Sequence, residues 1–320
     1  MTSELITGRS KFELRKRLLE TPIRLGQLDF NGKCNAKCWY CPVRYEGNPA
    51  DFATHMPIKD LTHLLANLRA SPLIAPDFSF VYTSHYNEVL LYRHFDEMID
   101  VFRTHGFATM VLSNGTPLTP QKTDTILANT DVIRGICLNI PAIEKTDWCR
   151  KTGLSAAAHK RLMENLDYIH GKIELTIQIN YDPNSGGYLD KSIGTTEDEG
   201  NAIAEAFRER YPKFNISPYP HLSDRAGRLD QLGVITRQAE TEPKRVIGCR
   251  HSGSRIFQWF HVNARGDLFL CCDDFDMHYR FGNLLTESFE DAWTSDRHVD
   301  AILEAFSGIC KRCWGRIEDE

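Results

Sequence analysis

The chain has 320 residues, 42% apolar and 25% charged, with a net charge of −5 at pH 7; that suits one large domain with a smaller appendage and a sizeable core. Interspersed acids and bases with an acidic balance argue against a non-specific nucleic-acid or anionic-membrane surface, and no apolar run nears the roughly 18 residues of a spanning helix. With no basic-then-apolar export signal at the start, the ten cysteines read as reduced thiols or ligands rather than disulfides, and a cytoplasmic address is expected.

In chain order, residues 1–22 form an N-terminal extension and 23–30 a first strand that runs straight into Cys34. Residues 59–68 are helical by their apolar spacing, 78–83 are strand and 91–104 helix. A third strand, 108–112, ends at the turn signal Ser113-Asn114-Gly115. Helix 121–127, strand 132–140, helix 156–169, strand 173–181, helix 197–210 and strand 214–218 complete six β–α repeats. Near-continuous apolar strands alternating with helices imply an α/β fold with a parallel, helix-covered sheet. An open doubly wound sheet and a partial barrel both satisfy that pattern. Residues 222–248 read as a polar linker, and 249–320 as a small C-terminal domain. There, 256–262 and 268–271 form a hairpin around Asn263-Ala-Arg-Gly266, and a helix reaches Trp293, with Thr286 or Ser288 as N-cap.

Two cysteine sets carry the chemistry. Cys34, Cys38 and Cys41 lie in Cys-Asn-Ala-Lys-Cys-Trp-Tyr-Cys, at gaps of three and two, with no fourth cysteine nearby. Clustered thiolates build iron–sulfur clusters, and three ligands on a four-iron cluster leave one iron open to a small molecule. A zinc knuckle is the alternative, although structural zinc takes four closed ligands. The second set is Cys249, Cys271 in Gly266-x4-Cys, the adjacent Cys272, and Cys310-Lys-Arg-Cys313. It supplies four thiolates for one closed site, iron–sulfur or zinc. Neighbouring strand residues point to opposite faces, so Cys271 or Cys272 belongs to it, but not both.

The first set resembles the radical S-adenosylmethionine (radical SAM) signature, Cys-x3-Cys-x-aromatic-Cys, with Tyr40 in the aromatic place at the cofactor. The resemblance implies a partial (β/α)6 TIM-like barrel over 23–221 and a [4Fe–4S] cluster on Cys34, Cys38 and Cys41 that binds S-adenosylmethionine (AdoMet). It also implies a flavodoxin- or ferredoxin-type reductant and a 5′-deoxyadenosyl radical that takes a hydrogen atom from substrate. The C-terminal Gly-x4-Cys hairpin and Gly-Asn-Leu…Trp helix resemble SPASM and Twitch extensions, implying a second, fully ligated [4Fe–4S] cluster on Cys249, Cys271, Cys310 and Cys313. Cys272 is the fallback ligand.

Relatives bind the methionine ammonium with Gly-Gly-Glu-Pro; here His85-Tyr-Asn-Glu88 keeps only the carboxylate, so Glu88 takes that part. Asn139 falls where relatives contact the ribose, and Arg150 resembles an arginine near the methionine carboxylate. Ser113 and Gln178, with Asn114 and Asn180, are further site candidates at the strand ends, where β/α barrels do their chemistry. Cys149, just past strand four, resembles the thiol with which radical SAM epimerases return a hydrogen atom; Cys137 reads as core. About 22 residues before strand one and too few cysteines for a second auxiliary cluster favour a small substrate. The expected activity is epimerisation or dehydrogenation at a carbinol carbon of a small carbohydrate-like or natural-product molecule. Peptide or protein modification is the alternative, and a zinc-stabilised nucleic-acid-binding protein the remote one. No nucleic-acid or membrane partner is expected.

Overall fold

The computed structural model describes residues 6–47, 55–83, 87–182, 193–219, 225–234, 244–251 and 254–319. It begins with α1 (Lys11–Glu20), capped by the Ser10 hydroxyl and seated through Leu14 and Leu18. The strands β1 (Leu25–Leu28), β2 (Phe80–Tyr82), β3 (Thr109–Ser113), β4 (Ile133–Asn139), β5 (Leu175–Asn180) and β6 (Asn215–Tyr219) follow. Between them come α2 (Val43–Glu46), α3 (Ile58–Ala70), α4 (Phe95–Thr104), α5 (Pro120–Leu127), α6 (Lys145–Thr152), α7 (Ala156–Ile169) and α8 (Glu197–Arg210). The C-terminal part adds α9 (Arg228–Gln231), β7 (Val246–Cys249), α10 (Arg255–Gln258), β8 (Trp259–Val262), β9 (Asp267–Phe269) and β10 (Arg280–Asn283). It closes with α11 (Phe289–Trp293), α12 (Asp296–Ser307) and β11 (Arg316–Glu318). Among the described residues no helix is long and apolar enough to cross a membrane.

Helices form where caps and apolar spacing agree. Leu61, Leu64, Leu65 and Leu68 put one stripe of α3 into the core. Thr196 and Glu199 close a reciprocal capping box on α8, and Ser155 caps α7, so both helices span the residues expected of them. Helix α6 was not anticipated, because Lys-Thr-Asp-Trp-Cys-Arg-Lys-Thr has little apolar stripe; Glu144 caps it and Gly153, at φ 69°, ends it in the left-handed region. The expected strand at 256–262 is shorter, since 255–258 turn helically before β8.

Strand order decides between the two architectures. The sheet runs β10-β9-β8-β1-β2-β3-β4-β5-β6, with β1 to β6 all parallel and in sequence order. A doubly wound sheet reverses direction at a switch point; this one does not, and the half with β1 to β6 is that of a (β/α)6 barrel. The C-terminal hairpin continues the same sheet: β8 lies parallel to β1, with Gly26 opposite Phe260, and β9 returns antiparallel. The Phe260 ring covers Gly26 so closely that a Cβ there would fall 2.1 Å from it. A separate ribbon pairs β7 with β11, and Thr7 bridges to Gly248.

One face of the sheet packs on helices through Val81, Val111, Ile136, Leu138, Ile177, Ile179 and Ile216. The alternate positions, including Tyr82, Met110, Leu112, Asn139, Gln178 and Ser217, are half-buried and make an open face. Cys137 is among them, so it is not a core residue as its apolar strand suggested.

Candidate functional site

The loop that leaves β1 carries Cys34, Cys38 and Cys41 and is pinned from both sides. From the β2 side, the Glu88 amide donates to the Lys33 carbonyl at 2.9 Å, and Asn31 Nδ2 donates to the Glu88 carbonyl at 3.1 Å. From α6, the Thr152 and Lys151 carbonyls accept from the Lys37 and Trp39 amides at 2.7 and 2.9 Å. Asn114 Nδ2 reaches Asn35 Oδ1 at 2.9 Å and Cys34 Sγ at 3.8 Å. Residues 225–234, inside the stretch read as a linker, lie against this loop: Leu229 and Val234 pack with Trp39 and Tyr40, beside Cys38 and Cys41.

Burial resists ionisation of these thiols. It pushes Cys34 up to about 12, with the Glu88 charge adding to it. Burial raises Cys38 and Cys41 as well, and Cys38 also feels the other two thiols. Coordination to a cationic cluster deprotonates thiols outright, so three half-buried, mutually repelling thiols on one loop fit the group that the signature implies.

Glu88 is 1% exposed, and its carboxylate is well served. Oε1 accepts from the Leu90 amide at 3.1 Å and the Ser113 hydroxyl at 2.8 Å, and Oε2 from the Asn114 amide at 2.8 Å. A carboxylate has about four lone-pair sites, so one more donor can be held. His85 and Tyr86, of the same expected motif, lie outside the described residues. Burial lifts Glu88 from 4.5 to about 7 despite those donors. Folded protein therefore keeps this proton where unfolded chain releases it, and stability falls as pH rises from about 4.5 to 7, by about 3 kcal/mol. Glu88→Gln is expected to flatten that part of the stability–pH curve in denaturant titrations; an unchanged slope would place the proton elsewhere.

A chain of polar side chains crosses the open face. Cys137 Sγ lies 3.6 Å from Gln178 Oε1, Gln178 Nε2 donates to Asn180 Oδ1 at 3.0 Å, and Asn180 Nδ2 donates to Asn139 Oδ1 at 3.2 Å. The Tyr40 hydroxyl donates to the same Asn139 oxygen at 2.5 Å. Tyr40, Asn139 and Gln178 thus meet in one network that starts at the thiol loop. Arg150 and Cys149 do not join it. Arg150 ion-pairs with Asp147 on α6, and Cys149, on the same helix, packs half-buried against the main core. The buried cation here is Lys151, 1% exposed and 3.1 Å from Asp147; a lysine in a polar run gave no signal in the sequence.

The second thiol set forms at the other end of β8. Burial raises Cys249, Cys271, Cys272, Cys310 and Cys313, and thiol–thiol repulsion links Cys271 to Cys272 and Cys310, Cys249 to Cys272 and Cys310, and Cys313 to both Cys249 and Cys310. Cys313 Sγ accepts from the Gly315 amide at 3.4 Å and lies 3.4 Å from His251 Nε2. The candidate ligand atoms of His251, Asp273 and Cys313 fall within 4.8 Å of one another. A Cβ at Gly315 would come 2.0 Å from the His251 ring, so that glycine makes its place. Cys272 is differently held: Arg255 Nη1 lies 2.7 Å from its sulfur. His251, Asp273 and Arg255 escaped the sequence reading; only their nearness to cysteines could have marked them.

Comparison with known proteins agrees with this layout. Residues 249–314 match the SPASM family, an iron–sulfur cluster-binding domain. No curated protein matches the sequence. The fold resembles BtrN in complex with AdoMet and 2-DOIA, at 14% identity and a TM-score of 0.51 over 89% of this chain and 87% of that one. It resembles Streptococcus suis SuiB bound to the precursor peptide SuiA, at 13% identity and a TM-score of 0.59 over 91% of this chain and 69% of SuiB. It also resembles anSMEcpe with bound AdoMet, at 15% identity and a TM-score of 0.57 over 91% and 86% of the two chains. Residues 249–314 are thus similar to a SPASM domain, and the described fold is similar as a whole to those of BtrN, SuiB and anSMEcpe.

Proposed function

We propose that the protein is a radical SAM enzyme acting on a small carbohydrate-like or natural-product substrate, by epimerisation or dehydrogenation at a carbinol carbon. The observation that carries the reading is the thiol trio Cys34, Cys38 and Cys41, half-buried together on one loop beyond the C-terminal end of β1. A [4Fe–4S] cluster with AdoMet, when bound there, supplies one-electron reductive cleavage and a hydrogen-abstracting radical.

The chain's own residues bind and position. Glu88 takes the AdoMet ammonium at its remaining acceptor site, and Ser113 holds that carboxylate in place. Asn139, braced by Tyr40 and Asn180, meets the ribose hydroxyls; Arg150 is assigned the methionine carboxylate, and Gln178 lines the open face. Cys249, Cys271, Cys310 and Cys313 hold a second [4Fe–4S] cluster. The Arg255 contact to Cys272 supports Cys271 as the ligand. A flavodoxin- or ferredoxin-type protein in the cytoplasm supplies the electron. Peptide modification is the second reading, favoured by the likeness to SuiB bound to its precursor peptide.

Reconstituted protein with dithionite and AdoMet is expected to form 5′-deoxyadenosine; none formed would overturn the reading. The resemblance assigns Cys149, which sits on α6 against the core and outside the amide network, hydrogen-atom return in an epimerisation. Cys149→Ala should then still make 5′-deoxyadenosine while epimer formation collapses, and wild-type turnover in deuterated water should place one deuterium at the reacting carbon, because a thiol exchanges with solvent. Undiminished epimer from the variant would remove Cys149 from the mechanism; an oxidised product without deuterium would make the enzyme a dehydrogenase.

A further inference from the structure

The open face ends, beside β8, in a group of buried polar atoms without partners. His261 is 0% exposed, and neither ring nitrogen has a hydrogen-bond partner among the described residues. Trp259 Nε1 and Arg255 Nε are likewise buried and unpaired. Buried polar atoms of this kind are nearly always satisfied in native proteins, so four on three neighbouring residues call for an occupant.

They do share one place. The Trp259 ring stacks on Tyr82 at 5.3 Å, lies 6.3 Å from the His261 ring, and has the Arg255 guanidinium 5.3 Å above it. Arg255 has Cys272, Asp273, Cys271 and Cys249 as its main electrostatic partners, and is also a neighbour of Tyr82, of Tyr219 from the far strand β6, and of His261, which the Asp273 carboxylate also faces. The spot lies on the same side of the sheet as the amide chain, since Tyr82, on which Trp259 stacks, is an electrostatic neighbour of Cys137, and Cys272, at Arg255, marks its border with the C-terminal thiols.

We infer that this end of the open face is an oxyanion-binding subsite, taking a carboxylate or phosphate group of the substrate. The unpaired atoms are mostly donors: the Arg255 Nε–H, the Trp259 N–H and, in either tautomer, one N–H of His261. A hydroxyl group brings a donor for each acceptor, whereas an oxyanion only accepts, and guanidinium pairs with it most strongly. The inference rests on reading the open face as the reaction chamber, and it narrows the substrate to one with an acidic group.

The test uses anaerobically reconstituted holoprotein at constant ionic strength, with inorganic phosphate and malonate as probes and myo-inositol as the neutral control. Ligand that binds the native state raises the melting temperature. Phosphate, malonate or both should raise it saturably, and which one does so separates a phosphate from a carboxylate group. Arg255→Gln and His261→Phe should each weaken that binding about tenfold. His261→Phe keeps a buried ring and gives the answer should Arg255→Gln lose iron. Anion shifts undiminished in His261→Phe, no anion shift in the wild type, or an equal shift with myo-inositol would overturn the subsite. 5′-Deoxyadenosine formation without any added anion is scored separately; its failure alongside an intact anion shift would indict the proposed activity and not the subsite.

Discussion

Changing Cys34, Cys38 and Cys41 together to alanine is expected to halve the iron and sulfide of reconstituted protein, from about eight of each to about four, and to abolish 5′-deoxyadenosine formation. The three thiols lie on one loop, held by the α6 carbonyls and the Glu88 amide rather than by one another. The loop should therefore survive their loss, with the change confined to metal and chemistry. Cys249, Cys271, Cys310 and Cys313 sit in a separate, later part of the chain, so their share of the iron should remain. Iron near four with zinc near one in the unaltered protein would make the C-terminal site a zinc site instead.

The largest effect on folding is expected at Gly26. A Cβ there would approach the Phe260 ring to 2.1 Å, and Phe260 is 0% exposed and flanked by the Phe78 and Phe289 rings. Gly26→Val should cost about 3 kcal/mol, at the upper end for overpacking a core. Phe260→Ala alone should cost a similar amount by leaving a cavity. Because the two side chains contest one volume, the double variant should be less destabilised than the sum of the singles. Denaturant midpoints of the four proteins would measure this, and strict additivity would mean that β8 does not lie on β1 as described.

The thiol signature was legible because spacing along a loop is itself the chemistry: Cys34, Cys38 and Cys41 need no distant partner to be recognised. Helices α7 and α8 were legible for a similar reason, since Ser155, Thr196 and Glu199 announce their starts. What stayed hidden depended on contacts between distant parts. Nothing local to Trp259–Val262 says that it pairs with Leu25–Leu28, more than two hundred residues earlier. Lys151, His251 and Arg255 are single polar residues without periodicity, and only packing separates them from solvated surface. The settings of Cys137 and Cys149 were hidden for the same reason. A thiol in an apolar strand turned out to face the open side, and one in a polar stretch turned out to pack on the core.

The shared sheet has a consequence for how the chain can be cut. A protein ended before β8 would leave β1 with a bare row of amides and carbonyls, and Gly26 without the ring that covers it. Such an edge recruits strands from other molecules. Barrel fragments trimmed of their C-terminal part should thus precipitate or pair with one another rather than persist as monomers. The part of the chain that matches the SPASM family thus serves this fold as a hem, closing the border that β1 would otherwise expose.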